Sequence, residues 1–297
     1  MPIPLLKLPL VVLKCFFHST DLSAIVTLSM LNKRLKKILV AYKYPVKNFT
    51  FNLTTMALLI DTYLNKVEVQ LFCNGDYIED SEEFIMKIRN ETMIFAVKAG
   101  RNKSIVYLKS KMVFLPNKDW LLYERITHVL LEFISTKSYS LTCQRDDVNF
   151  DDLFIWKITD SFSKFQIFHP DKKVPISSWK LKYLLNKLKV DELELSVKSI
   201  TAGYKYQRPI NIEPNIRKVS LWISEWFDYE NFFEKFKFPV ISCEVPSFAV
   251  MNMILKQWRS SDNDVLEDLR LVMSSIYIPM QRAQVLRGLR SRPSTLK

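Results

Sequence analysis

Six short runs in the second half of the chain alternate apolar and polar residues, and they recur at nearly equal intervals. The runs begin at Tyr139, Phe165, Leu193, Val219, Cys243 and Leu269, with steps of 26, 28, 26, 24 and 26 residues between them. Strict alternation is typical of a β-strand with one buried face. Intervals of this length leave room after each strand for a helix or a loop, so the spacing predicts an array of short strands with returning connections.

Most of these connections carry a helical pattern of apolar residues. The patterns cover residues 120–133, 151–158, 177–188, 229–236 and 248–258, whereas residues 201–214 contain Gly203, Pro209 and Pro214 and are predicted to form a loop. A strand and a helix repeated about every 20 to 29 residues are the signature of a leucine-rich-repeat-like solenoid. The Asn that follows Leu-x-Leu in such repeats is lacking here. We therefore predict an irregular α/β solenoid over residues 117–278.

Residues 44–116 have shorter alternating runs. The runs at 46–53 and 67–72 predict strands with one buried face. Asn74, Gly75 and Asp76 form a turn signal, and Gly100 lies in a loop between two further apolar runs, 93–97 and 105–108. These features predict a short antiparallel β connector region.

The first part of the chain, residues 1–43, favours three short helices. Pro9 suits the first turn of a helix, because it lacks an N–H and its φ is fixed near the helical value. Ser19, Thr20 and Asp21 offer side-chain oxygens that can cap a second helix, and the basic run from Lys33 to Lys37 marks the outer side of a third. Domains below roughly 40 residues usually need outside help to be stable. An apolar terminal segment of this size therefore indicates either a partner surface or a cap on the following domain.

The same segment resembles an F-box in the order and spacing of its residues. The matching residues are Leu8, Pro9, Leu13, Phe16, Phe17, Asp21, Ile25, Leu28, Ser29, Lys33 and Arg34. Thr20 and Leu35 depart from the family pattern, which usually has an apolar residue and a tryptophan at these two places. The resemblance implies docking onto a Skp-type adaptor and, through it, onto the cullin of a ubiquitin ligase. It assigns adaptor binding to Leu8, Pro9, Leu13, Phe16, Phe17, Asp21, Ile25, Leu28 and Arg34.

A second resemblance lies near the C-terminus. Asn252, Leu255, Lys256 and Trp258, followed by the run from Leu266 to Leu271, resemble the signature of the type 2 F-box-associated domain found behind nematode F-boxes. The segment from Trp222 to Trp226 is similar to an earlier part of the same domain. The resemblance implies a domain that captures a protein target for ubiquitination.

Together these features predict an α+β to α/β fold class: an N-terminal three-helix F-box, a short antiparallel β region and an irregular leucine-rich-repeat-like solenoid. The expected boundaries are 1–43 for the F-box, 44–116 for the connector, 117–278 for the F-box-associated domain and 279–297 for a basic, flexible tail. The expected function is that of a substrate-recognition subunit of a Skp/cullin/F-box-type ubiquitin ligase.

The charge balance leaves a second function open. The chain has 43 Lys and Arg residues against 31 Asp and Glu residues, a net charge of +12, which can attract nucleic acid. A basic nucleic-acid-binding protein without catalytic activity is therefore the alternative. Aromatic and basic residues alternate at Tyr204, Tyr206 and Arg208, within the predicted loop, and we predict that these three side chains contact a protein substrate.

The sequence offers no set of residues for catalysis. It has three histidines, at His18, His128 and His169, and four glycines that fit no phosphate-binding loop. The four cysteines form no Cys-x-x-Cys pair, which favours a reducing intracellular compartment, cytoplasmic or nuclear, over a zinc site. No stretch has the roughly 18 apolar residues of a membrane helix. We predict a non-catalytic protein without cofactor, metal or membrane contact.

Overall fold

The chain divides into two compact units, Met1–Leu141 and Thr142–Lys297. This division differs from the four segments expected from the sequence. The computed structural model describes residues 8–22, 24–25, 33–72, 82–88, 91–99, 103–110, 118–145, 148–150, 152–169, 173–207, 215–222, 226–261 and 265–273. Within these ranges, no helix is both long enough and apolar enough to cross a membrane.

The first unit combines three described helices with a mixed sheet. The helices are α1 (Leu10–Ser19), α2 (Lys33–Tyr42) and α3 (Lys118–Phe133). The strands are β1 (Tyr44–Pro45), β2 (Asn48–Asn52), β3 (Ala57–Asp61), β4 (Lys66–Phe72), β5 (Glu82–Ile88), β6 (Glu91–Ala99), β7 (Lys103–Ser110) and β8 (Ile134–Ser135). The next strand, β9 (Tyr139–Cys143), spans the division between the units.

The sheet of the first unit runs in the order β2, β3, β4, β7, β6, β5. Neighbours are antiparallel except β4 and β7, which are parallel and place Val69 opposite Val106. A turn joins β2 to β3, and in it the Asn52 side-chain oxygen accepts hydrogen bonds from the N–H groups of Thr54 (3.1 Å) and Thr55 (3.3 Å). Asn favours such turns because its side chain satisfies backbone donors two and three residues on.

Aromatic side chains fill the core of this unit. Phe49 and Phe51 of β2 are fully buried, and their ring centroids lie 5.1 Å apart. Tyr123 of α3 is also buried, and its hydroxyl donates a hydrogen bond to the Ala57 carbonyl at 3.0 Å. Helix α2 packs against α3, where the Lys36 ammonium lies 5.6 Å from the centre of the Phe133 ring.

The second unit contains a parallel sheet in the order β10, β12, β14, β15, β16. These strands are β10 (Ser161–Ile167), β12 (Lys189–Leu195), β14 (Ile216–Leu221), β15 (Val240–Val245) and β16 (Asp268–Met273). Two short strands, β11 (Val174–Ile176) and β13 (Val197–Ser199), pair with each other in a separate parallel sheet. The helices are α4 (Ser178–Asn186), α5 (Phe232–Lys235) and α6 (Phe248–Ser260), and a 3₁₀ turn covers Phe154–Lys157.

The predicted solenoid is wrong, because the connections between the parallel strands are not equivalent. A 13-residue helix, α6, joins β15 to β16, but the described part of the connection from β14 to β15 contains only the four-residue α5. No helix occurs among the described residues between β12 and β14. The strands β11 and β13 take residues from two connections and pair with each other. The result is a largely parallel sheet and not a stack of repeats.

The predicted three-helix F-box and the purely antiparallel connector are also not what the structure shows. Helix α2 packs on α3, and both belong to the compact unit Met1–Leu141. Most of the predicted middle helix, from residue 26 to 32, lies outside the described residues, as does the predicted tail. The connector is mixed because β7 returns to pair with β4 in parallel. Alternation reveals a buried face but not the direction of the partner strand.

We expect the protein to lose stability at alkaline pH. Burial is the main cause that raises the pKa of Cys243 from 9.0 to about 12 and raises the pKa of Tyr123 well above its ordinary value. A raised pKa means that the fold favours the neutral group, so its contribution is full below pH 9.0 for the thiol and is lost as the pH rises through about 12. The midpoint of urea unfolding, followed by tryptophan fluorescence, should therefore fall steadily above pH 9.

A variant without the Tyr123 phenol tests this expected loss of stability at alkaline pH. The matched variant Tyr123→Phe has no phenol to ionise, so its midpoint should fall less between about pH 9 and pH 11 than that of the wild type. An unchanged midpoint over this interval in the wild type would contradict the stated burial of the two groups.

Candidate functional site

Helix α1 begins and ends with local signals in the sequence. Pro9 precedes it with φ −57°, and the Pro9 carbonyl accepts the hydrogen bond from the Leu13 N–H at 3.0 Å. At the other end, the hydroxyls of Ser19 and Thr20 both donate to the Phe16 carbonyl, at 3.1 and 2.7 Å. The backbone leaves the helical region at Thr20, with φ −104° and ψ 142°, and the two hydroxyls bond a carbonyl in the last turn of the helix.

The inner face of α1 is buried. Leu13 and Phe17 lie four residues apart and therefore on one side of the helix, and both are buried. The Phe17 ring lies 5.5 Å from the ring of Tyr42 in α2. Fully burying a side chain of this kind stabilises the fold by about 1.5–3 kcal/mol. The inner face thus fixes α1 to its own unit.

The outer face of α1, which we define as Val11, Val12 and Cys15, is exposed. Val11 is 71% exposed and Val12 is 45% exposed, and Cys15 is an exposed free thiol. Leu8, three residues before Val11, is half-buried. Residues spaced by three and four share one side of a helix. A terminal helix therefore presents apolar side chains to solvent on the side away from its packed residues, as interaction sites do.

A polar contact links Asp21, two residues after the end of α1, to the β3–β4 hairpin. The Asn65 side-chain amide donates a hydrogen bond to the Asp21 carboxylate. Asn65 is held in turn by Thr62, whose hydroxyl donates to the Asn65 carbonyl at 2.8 Å and accepts from the Asn65 N–H at 2.9 Å. Tyr63 and Leu64 are exposed at the tip of this hairpin. Burial, together with the Asp21 carboxylate, raises the pKa of Tyr44.

The predicted adaptor-binding residues divide into inner and outer positions. Three are buried: Leu13, Phe17 and Ile25. Three are half-buried: Leu8, Phe16 and Asp21. Two are exposed: Pro9 and Arg34. Leu28 lies outside the described residues. The prediction missed Val11 and Val12, although their spacing from Leu8 and Cys15 would have shown a second apolar stripe opposite Leu13 and Phe17.

The prediction for Tyr206 as a substrate-contacting residue is wrong. Tyr206 is buried, its hydroxyl donates to the Asn186 Oδ1 atom at 2.5 Å, and its ring stacks on Phe236 at 5.5 Å. Tyr204, two residues earlier, is half-buried. Arg208 lies outside the described residues, so Tyr204 alone remains available as a contact among the described members of this group.

Replacing each tyrosine with phenylalanine tests whether Tyr206 and Tyr204 differ in their contribution to stability. Tyr206→Phe removes the donor to Asn186, whose Nδ2 atom already lacks a hydrogen-bond partner among the described residues. Leaving a buried polar group unsatisfied costs about 1–3 kcal/mol, so we expect a loss of this size in urea unfolding. The matched variant Tyr204→Phe should stay within about 0.5 kcal/mol of the wild type. Equal stability of the two variants would contradict the core role of Tyr206.

The described residues contain no group of three or more His, Cys, Asp or Glu side chains that could hold a metal ion. His128 lies on α3, with its Nε2 atom 3.9 Å from an oxygen of Glu124 one turn earlier. A polar cleft of about 440 Å³ lies between α5 and α6, lined in part by Glu230, Glu234 and Gln257. The Gln257 side-chain amide donates hydrogen bonds to the carbonyls of Tyr229 and Glu230, at 2.9 and 2.6 Å.

No family model, no curated protein and no solved structure matches this chain.

Proposed function

We propose that this chain is a non-catalytic recognition subunit of a Skp/cullin/F-box-type ubiquitin ligase, and that the outer face of α1 docks onto the Skp-type adaptor. The observation that carries the proposal is the exposure of Val11 and Val12 on a helix whose other side is packed. This helix lies within the segment whose residues resemble an F-box. Such a protein works inside the cell, in the cytoplasm or the nucleus.

Basic side chains on α2, which contacts α1 through Tyr42 and Phe17, favour an acidic partner. Arg34 and Lys37 are exposed on α2, and the Lys36 side chain is half-exposed beside Glu132 at 4.0 Å. Basic groups beside an apolar contact steer an acidic partner and fix its orientation more than they raise the affinity. The docking energy itself is assigned to the apolar side chains of the outer face.

A receptor that holds a protein target beside the ligase converts a bimolecular encounter into a tethered one, and this raises the effective concentration of the target. No chemistry is required of the chain for this task. Half-exposed Tyr204 is the candidate contact on the target side.

Co-purification with a Skp-type adaptor tests the docking. The double variant Val11→Asp, Val12→Asp places two charges where the adaptor would exclude water, so we expect adaptor recovery to fall at least about tenfold. A matched control exists, because Val265 and Val272 are also exposed valines, at 41% and 46%. Val265→Asp, Val272→Asp should leave recovery unchanged. Equal recovery with both double variants would overturn the proposed docking face.

A further inference from the structure

An aromatic cage surrounds a buried lysine in the second unit. Lys180 is only 3% exposed, and its ammonium nitrogen lies 4.2 Å from the ring centre of Trp156, 4.8 Å from Tyr183 and 5.0 Å from Trp179. A cation within about 6 Å of an aromatic ring face is attracted by the ring quadrupole. We call Trp156, Trp179 and Tyr183 the cage.

The position of Lys180 goes against two general preferences. Lysine is almost never fully buried. Lys180 also lies in the first turn of α4, where its N–H donates to the capping Ser177 hydroxyl at 3.1 Å. A positive charge near the N-terminus of a helix opposes the helix dipole. The three rings surround this buried charge, and residues that break local rules in this way occur at functional sites.

The cage is held in shape without help from Lys180. The Trp156 Nε1–H donates to the Phe150 carbonyl at 2.7 Å, and the Trp156 ring stacks on Phe165 at 5.7 Å. Tyr183 contacts the edge of Trp156 at 5.7 Å and stacks with Trp179 at 6.1 Å. Rings that are fixed by their own packing lose little freedom when a ligand binds.

One wall of the cage faces solvent. Trp179 is 63% exposed whereas Lys180 is 3% exposed, so a ligand enters beside Trp179 only when the Lys180 side chain is displaced. Aromatic cages are the chemistry that recognises methylated ammonium groups.

We infer that Trp156, Trp179 and Tyr183 form a binding site for methylated ammonium groups, with the side chain of Lys180 as a built-in occupant that an external ligand must displace. The site is distinct from the outer face of α1 and does not depend on adaptor binding. Trimethyllysine side chains and choline head groups share the required chemistry.

The test uses the full chain and tetramethylammonium, followed by the fluorescence of the cage tryptophans. Lys180→Ala empties the cage and should bind tetramethylammonium at least about tenfold more tightly than the wild type. The double variant Lys180→Ala, Trp179→Ala should lose this gain. The neutral analogue 3,3-dimethylbutan-1-ol should bind Lys180→Ala at least about tenfold more weakly, since it has the shape without the charge. Equal affinity for the alcohol, or no gain in Lys180→Ala, would overturn the inference.

A measurement on the wild type covers the case in which Lys180→Ala does not fold. The ε-methylene protons of Lys180 lie among three rings, so their NMR signals should be shifted strongly upfield. Titration with tetramethylammonium should return them toward the values of a solvated lysine. Signals that stay in place at saturating salt, relative to a sodium chloride control, would overturn the inference.

Two further ligands distinguish a modified protein from a lipid as the source of the methylated ammonium group. N-acetyl-trimethyllysine amide represents a modified protein side chain, and phosphocholine represents a lipid head group. Tighter binding of the first to the wild type assigns the cage to protein recognition, and tighter binding of the second assigns it to lipid recognition. Failure of both to bind Lys180→Ala would overturn the inference.

Discussion

Replacing Trp226 with alanine should lower the free energy of unfolding by about 3–5 kcal/mol, the range for removing a large aromatic side chain from a core. Trp226 is 1% exposed, and its ring lies 4.3 Å from that of Phe227 and 6.4 Å from that of Phe236. Its Nε1–H donates to the Val197 carbonyl at 3.1 Å, so the substitution also leaves a buried carbonyl without this donor. Urea denaturation followed by circular dichroism gives the value.

Trp258 provides a control of the same residue type in the same unit. It lies on α6 and is 49% exposed, so Trp258→Ala should change the free energy of unfolding by no more than about 0.5–1 kcal/mol. A difference between the two variants of less than about 1 kcal/mol would contradict the packing of Trp226.

Phe17→Ala should be the second strongly destabilising change, with a loss of about 3–5 kcal/mol. Phe17 is fully buried on the inner face of α1 and contacts Phe16 and Tyr42, at 5.9 and 5.5 Å between ring centres. Its removal leaves a cavity between α1 and α2 that the helices close only in part. The measurement is urea unfolding of the full chain.

Val11→Ala is the matched control on the same helix. It removes an apolar side chain that is mostly in water, so stability should change by no more than about 0.5 kcal/mol. If Val11→Ala were as destabilising as Phe17→Ala, the outer face would be packed and unavailable to a partner. The pair of variants therefore separates the structural role of α1 from its proposed binding role.

Alternation in the sequence was sufficient to locate the parallel strands. Phe165, Leu193, Val219 and Leu269, each the first residue of a predicted run, lie in one register across the sheet of the second unit, together with Ile241. The run predicted to begin at Cys243 starts earlier, because β15 begins at Val240. The structure also shows that the Ser177 hydroxyl caps α4 by accepting the Lys180 N–H.

Long-range pairing could not be predicted in the same way. Nothing in the alternation of β4 and β7 states that they are parallel neighbours, since β5 and β6 lie between them in the sequence. The burial of Tyr206 depends on Asn186 and Phe236, which are 20 and 30 residues away in the chain. Tertiary packing determines such contacts. It also determines that the stripe of Leu13 and Phe17 on α1 is buried, whereas Val11 and Val12 are exposed.

The affinity of the purified chain for a purified Skp-type adaptor, measured by isothermal titration calorimetry, tests the proposed function most directly. We expect a dissociation constant of about 1 µM or tighter for the wild type and for Val265→Asp, Val272→Asp. We expect Val11→Asp, Val12→Asp to bind at least about tenfold more weakly at unchanged stability. Absence of binding by the wild type at roughly 100 µM adaptor would contradict the account.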